Sequence, residues 1–244
     1  MAGEVKFGLY LVADDPNLTF IVFIGLVLLT VIAARFGAYA YLNMRATGVD
    51  AQRVLWEYLL YVGSVAALYG VVGVLEIVSS IRTPYKTGLM LAVVLLLALA
   101  VREIYFNAAL STTDADGAFP GRRFLEVAFV GVVAAVVFGI ALFGLRRPLL
   151  ALQGVGAVAF AGYGFWFGRR QTAAAMVQGT MIDSLLRHLL PVLAFATLVP
   201  AVDLATVAGL DRVVVQHVQI VFVIMTATAL MTATIKLRQN LASL

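Results

Sequence analysis

Not one cysteine occurs in the 244 residues, which excludes disulfides, thiolate nucleophiles and cysteine-ligated zinc or iron-sulfur centres. Histidine is nearly as scarce. Its two occurrences, His188 and His217, are too few for the paired ligands of a multihaem membrane cytochrome. They also fall near opposite ends of successive apolar runs. Charge is the third shortage: Asp, Glu, Lys and Arg together make up 12% of the chain against 63% hydrophobic residues. So little polar side chain cannot cover a water-facing surface, and an ordinary soluble domain is excluded. The catalytic spacings are missing as well. No nucleophile elbow, HExxH, phosphate loop or dinucleotide loop occurs, and Ser184 lies only one turn from His188 with no acid at a triad-like spacing. No catalytic residue, cofactor or metal site is expected.

Long apolar runs are abundant, and the mean hydropathy is +1.01. A helix needs about 20 apolar residues to cross the hydrocarbon core of a bilayer. Seven stretches meet that length, near Leu18 to Leu42, Trp56 to Ser79, Thr87 to Ala108, Phe124 to Leu145, Pro148 to Phe167, Ile182 to Ala208 and Val213 to Lys236. The expected fold is all-α: a single seven-transmembrane-helix domain over residues 1–244, multi-pass in the cell membrane, with neighbouring spans mainly antiparallel. The separators NMRATGVD, SIRTPYK, STTDADGAFPGRR and LRRP are short and rich in turn residues. Arg146 and Arg147 followed by Pro148 argue for a hairpin between spans four and five, because arginines in mid-helix would lie in hydrocarbon. The alanine-rich QTAAAMVQGTM can extend span five or begin span six, with Gly179 as the break.

The opening MAGEVKFGLYLVADDPNLT carries Glu4, Asp14 and Asp15 but no basic n-region or cleavage site, so insertion is expected to rely on the first retained span. The formal charge is +4, and its basic residues flank apolar spans. The lipid bilayer is therefore the expected partner, with no nucleic acid. Arg45, Arg53, Arg122, Arg123, Arg169, Arg170, Arg187, Lys236 and Arg238 fall on one side, and Arg35 and Arg102 lie near it. Lys6, Arg82, Lys86, Arg146, Arg147 and Arg212 fall on the other. The positive-inside rule then places the N-terminus outside and the C-terminus in the cytoplasm.

Ionisable residues within the spans are the main functional candidates. Arg35, Glu57, Arg102, Glu103 and Glu126 fall toward the inner ends of spans one to four and form an expected inner polar cluster, either a helix-fastening ion-pair layer or a coupling site centred on Arg102 and Glu103. Glu76, Asp203 and His217 fall toward the outer ends of spans two, six and seven and are candidates for binding a ligand or ion. Pro200 precedes Asp203 by less than a turn, and its missing N–H is expected to bend span six or leave an acceptor free. Small residues mark close packing: Gly63, Ala66, Ala67, Gly70 and Gly73 in span two, and Gly164 with Gly168 in span five. Tyr163, Trp166 and Phe167 beside Arg169 read as an interfacial aromatic belt.

Seven spans, an outside N-terminus and short loops resemble the layout of rhodopsin-type and other seven-helix receptors. A microbial rhodopsin carries its retinal on a lysine near the middle of the seventh helix. Here Met225 to Met231 occupies that region, and Lys236 lies at the end. The chain is therefore not assigned to that family. The repeated MTATAL and MTATIK segments place Thr226, Thr228, Thr232 and Thr234 in the last span, where each hydroxyl is expected to bond a carbonyl three or four residues back. Two function classes follow. The first is a non-enzymatic membrane sensor, or a structural subunit that contacts a membrane-protein partner or a second copy of the chain. The alternative is a secondary transporter or channel for a proton, cation or small solute.

Overall fold

The computed structural model describes residues 10–47, 50–79, 81, 83–109, 122–173 and 181–243. The TTDADG turn, Arg82, Gly179 and the residues before Tyr10 lie outside them. Among the described residues the long elements are all helical: α1 (Pro16–Ala46), α2 (Asp50–Val78), α3 (Lys86–Ala109), α4 (Arg122–Phe143), α5 (Arg147–Ala173), α6 (Met181–Ala201), the five-residue α7 (Asp203–Val207) and α8 (Arg212–Ser243). Seven of them are long and apolar enough to cross a membrane, which makes the chain a multi-pass helical bundle by length and composition. The exterior agrees with lipid contact. Phe20, Val31, Tyr61, Phe124, Val127, Phe138 and Leu142 are exposed, whereas Phe36, Leu97, Phe160 and Phe167 are fully buried.

Alternation of direction gives the bundle two ends. The proximal end holds the starts of α1, α3, α5 and α8, and the distal end holds their finishes. α1 packs on α2 and α8, α8 on α6, and α2 on α3; α3 also meets α5 and α6, and α4 lies outside against α3 and α5. α3 is accordingly the most buried span and α4 the least. Neighbours in sequence run antiparallel. The α1–α8 and α3–α5 contacts join helices that run the same way.

Local chemistry sets the boundaries. Asp15 accepts hydrogen bonds from the N–H groups of Asn17 (2.8 Å) and Leu18 (3.2 Å), and Pro16 takes the first position of α1, where its missing donor costs nothing. The α4–α5 hairpin turns at Gly144, whose φ of +72° suits a residue without a Cβ. α5 extends to Ala173, so the start of the alanine-rich run continues that helix.

Span six runs from Asp183 to Val207, close to the expected bounds, with its hydrogen-bond ladder disturbed at Val202, whose φ of −64° and ψ of −21° stay helical. α6 stops at Ala201 and α7 starts at Asp203, across Val202. Pro200 lacks the N–H that would bond the carbonyl of Ala196, and the Val199 carbonyl accepts the side-chain amide of Gln219 from α8 at 3.1 Å. After α7, Gly209 adopts φ +100° and the Leu210 N–H reaches back to the Ala205 carbonyl at 2.9 Å, a Schellman-type stop. Asp211 then caps α8 through the Val213 N–H at 2.7 Å.

Close packing falls where glycines recur. A Cβ on Gly63 would lie 2.6 Å from the Gly37 Cα and N and 2.8 Å from the Ala33 carbonyl, so α1 and α2 touch backbone to backbone there. Gly70 and Gly73 admit Thr30 and Leu26 in the same seam, and Gly164 lets α5 approach Ala98 and Leu193. The threonines of α8 bond within their own helix. Thr226 donates to Phe222, Thr228 to Ile224, Thr232 to Ala229 and Thr234 to Leu230, at 2.7–2.9 Å. Thr226 and Thr234 are buried and the other two exposed, so the four hydroxyls form no single stripe.

Candidate functional site

The proximal half of the bundle encloses a cavity of about 600 Å³ between α1, α2, α3, α5, α6, α7 and α8. Exposed Leu11, Leu145, Arg147 and Arg212 stand at its mouth, and buried Leu26, Met90 and Val223 line its apolar depth. From Arg212 to Val223, α8 rises about 16 Å, roughly half of a hydrocarbon core. Distal to that level the bundle is filled by side chains such as Leu29, Phe36, Leu97, Phe160 and Leu230.

Asp203 and Glu76 both line the cavity, and their environments differ. Glu76 is engaged by the α2–α3 connection: it accepts the Thr83 N–H at 2.8 Å and the Thr83 hydroxyl, and it forms an ion pair with Lys86. Its charge is thereby compensated, and it fastens the end of α2 to the start of α3. Asp203 is held instead by neutral donors. Gln153 Nε2 of α5 donates to Oδ2 at 3.1 Å, and Gln219 Nε2 of α8 donates to Oδ1 at 2.8 Å. Asp203, at the start of α7, stands between those two helices; Arg212 lies within electrostatic reach of it without a direct ion pair. Gln153 is 1% exposed, and its Oε1 has no hydrogen-bond partner among the described residues.

Tyr69 of α2 completes the polar wall. It is 8% exposed, lines the cavity, lies within electrostatic reach of both Asp203 and Glu76, and its hydroxyl makes no hydrogen bond among the described residues. The backbone ahead of α1 crosses the mouth, where the Tyr10 N–H donates to the Ile77 carbonyl (2.8 Å) and the Val12 N–H to the Thr19 hydroxyl (2.7 Å).

His217 does not join this group. It is exposed, its Nδ1 bonds the Val213 carbonyl of its own helix at 2.8 Å, and it does not line the cavity. Residues two positions apart on a helix lie about 200° apart around it, so with Gln219 facing inward His217 faces out. His188 bonds its own Ser184 carbonyl at 2.6 Å in the distal half. Sequence reasoning missed Gln153, Gln219 and Tyr69. The one available signal was an amide inside an otherwise apolar run, as in LLALQGVG.

At the distal end Arg102 pairs with Glu103 at 3.0 Å and with Glu126, which also accepts the Tyr163 hydroxyl at 2.9 Å. The Tyr58 ring lies 5.7 Å from the guanidinium. This buried group ties α2, α3, α4 and α5 together. Glu57 and Arg35 stand outside it: Glu57 pairs with Arg53 one turn away, and Arg35 is exposed with no ion pair among the described residues. Tyr163 and Phe167 pack inside the bundle, while Trp166 lies under Arg170, 3.8 Å from ring centre to guanidinium carbon. The aromatic belt expected at the end of span five is therefore largely interior packing. Among the described residues no three His, Cys, Asp or Glu side chains are placed to hold a metal ion.

No protein-family model, curated protein or solved structure matches the chain.

Proposed function

We propose that this chain is a non-enzymatic sensor of the cell membrane that takes a small ligand into the proximal cavity, with the proximal end outside and the distal end in the cytoplasm. The observation that carries this reading is the polar wall of the cavity set against a packed distal core. The cavity has charged groups at its mouth, a carboxyl set by two amides on its wall, and packed side chains where a conduction path would continue. Such a space binds a ligand against directed polar groups. The ligand touches α2, α5, α6, α7 and α8 together, so occupancy alters how those helices pack and reaches the Arg102 group at the far end.

A secondary transporter is the second reading, favoured by the disturbed helix ladder around Pro200 and Val202 beside Asp203. Interrupted helices at a ligand site are common where one bundle rocks against another.

One experiment separates the two. A library of soluble metabolites is screened for thermal stabilisation of the detergent-purified protein and of Thr206→Trp, which places an indole in the cavity. Hits are then tested for uptake into proteoliposomes. The sensor reading expects stabilisation of the wild type, loss in Thr206→Trp, and no accumulation. Gradient-driven accumulation of a stabilising compound establishes the transporter instead.

A further inference from the structure

We propose that the ligand is a zwitterionic amino acid with an apolar side chain, its ammonium on Asp203 and Tyr69 and its carboxylate on Arg212 and Arg147. The assignment rests on the cavity being a ligand site, as proposed above.

The charge inventory points to this chemistry. Once Glu76 and Lys86 neutralise each other, one carboxylate and two guanidiniums remain along the cavity, and none of the three forms an ion pair among the described residues. Their positions are polarised. Asp203 is nine-tenths buried on the wall, while Arg147 and Arg212 stand exposed at the mouth as the first residues of α5 and α8. Those helix starts add their own positive ends to the two guanidiniums.

Asp203 is oriented but not neutralised. Two amide donors occupy part of its lone-pair capacity, and an ionised carboxylate accepts further bonds. Arg212 acts on it through space without a direct ion pair, so a cationic donor in contact is the partner this site can still take. Two other buried polar atoms point the same way. Among the described residues the buried Gln153 Oε1 has no partner and the Tyr69 hydroxyl makes no hydrogen bond, and both can accept an N–H. A bare metal cation would lack ligands, since no suitable cluster of carboxylates or histidines is present among the described residues. A bare anion would meet Asp203.

A molecule carrying both charged groups on one α-carbon satisfies both ends. Gln219, which holds Asp203, lies about 10 Å along α8 from Arg212. An arginine side chain bending inward spans most of that rise, and the α-carbon unit of an amino acid bridges the remainder. The remaining volume is apolar, bounded by Leu26, Met90, Ile220 and Val223, and suits a hydrocarbon side chain.

The test uses the full chain in detergent and calorimetric titration with leucine, valine, methionine and phenylalanine. Each is paired with the amine that lacks its carboxylate and the acid that lacks its ammonium. At least one amino acid is expected to bind, and both truncated analogues to bind at least about ten-fold more weakly, because a site built around a polar group rejects the analogue without it. Asp203→Asn is expected to erase the preference over the acid, and Arg212→Gln the preference over the amine. An unchanged elution profile and helical circular dichroism show that each variant is folded.

The proposal is overturned if none of the four binds the folded wild type at millimolar concentration. It is equally overturned if an amine or acid binds as tightly as its parent, or if both variants keep the wild-type preferences. The two readings fail separately. A metabolite of other chemistry that binds the wild type but not Thr206→Trp retains the cavity as a site and removes the amino acid. An amino acid that binds and then accumulates in vesicles retains the zwitterion and removes the sensor.

Discussion

Arg102 shows what a single buried charge does in this bundle. Its guanidinium answers two carboxylates, and Tyr163 supports one of them, so removing it takes from Glu103 and Glu126 the cation they share. Breaking a buried pair from one side costs about 3–5 kcal/mol, whereas replacing both partners with uncharged groups of similar size costs far less. Arg102→Ala is therefore expected to lower the unfolding free energy in mixed micelles by about that amount. The double variant Arg102→Met with Glu126→Gln should lose clearly less; an equal loss would show that the group acts through packing alone. These residues were legible as a cluster in the sequence because charges are rare in apolar runs. Arg35 and Glu57 were grouped with them on depth alone, and depth does not report rotational phase. Gln153 and Gln219 escaped notice for a different reason. An uncharged amide does not stand out by type, and its role depends on a partner distant in sequence that only the fold supplies.

At the scale of the element, one substitution has opposite consequences in two helices. Gly63→Ala forces a methyl into the backbone of Gly37, which no rotamer change can relieve, and is expected to destabilise by about 1–3 kcal/mol. Gly131→Ala on α4 meets nothing within 4 Å and should be neutral or stabilising by up to about 1 kcal/mol through helix propensity. Parallel unfolding curves for the two variants check this directly. The glycine seam was readable in advance because backbone contact restricts residue type at fixed spacing. The disturbance in span six was half readable. Pro200 announces a lost donor, but the place where the helix restarts depends on Gln219 taking the Val199 carbonyl. Pro200→Ala restores the donor to Ala196 and is expected to regularise the hydrogen-bond ladder around Val202, whose backbone is already helical, and so to shift Asp203. Ligand binding should then weaken at least about ten-fold, by displacement of the carboxyl, while thermal stability is retained. Unchanged affinity would mean that the disturbance does not position Asp203.

For the whole molecule, the absence of cysteine makes orientation measurable with single introduced thiols. Ala208 and Ala242 are exposed at the proximal and distal ends. With the proximal end outside, an impermeant maleimide on intact cells is expected to label Ala208→Cys and to spare Ala242→Cys until the membrane is opened; the reverse pattern inverts the proposed topology. The seven spans could be counted from hydropathy because the bilayer sets one length for every crossing. Hydropathy could not say that the helices separate in one half of the bundle and close in the other, since both halves use the same apolar residues. That asymmetry comes from tertiary contacts. Glycines draw α1 against α2 in mid-span, and Asn43 anchors α1 to α8 at the distal end through the Leu237 carbonyl (3.0 Å) and Asn240 (2.6 Å).

The backbone across the cavity mouth has a practical consequence for anyone handling the protein. Because Tyr10 is tied to Ile77 and Val12 to Thr19, an amino-terminal purification tag or fluorescent fusion joins the described chain on the side of the cavity mouth. The same appendage after Ser243 sits at the far end of α8. Binding measured on an amino-terminally tagged preparation should therefore be compared with a carboxy-terminally tagged one before an absence of ligand is attributed to the protein.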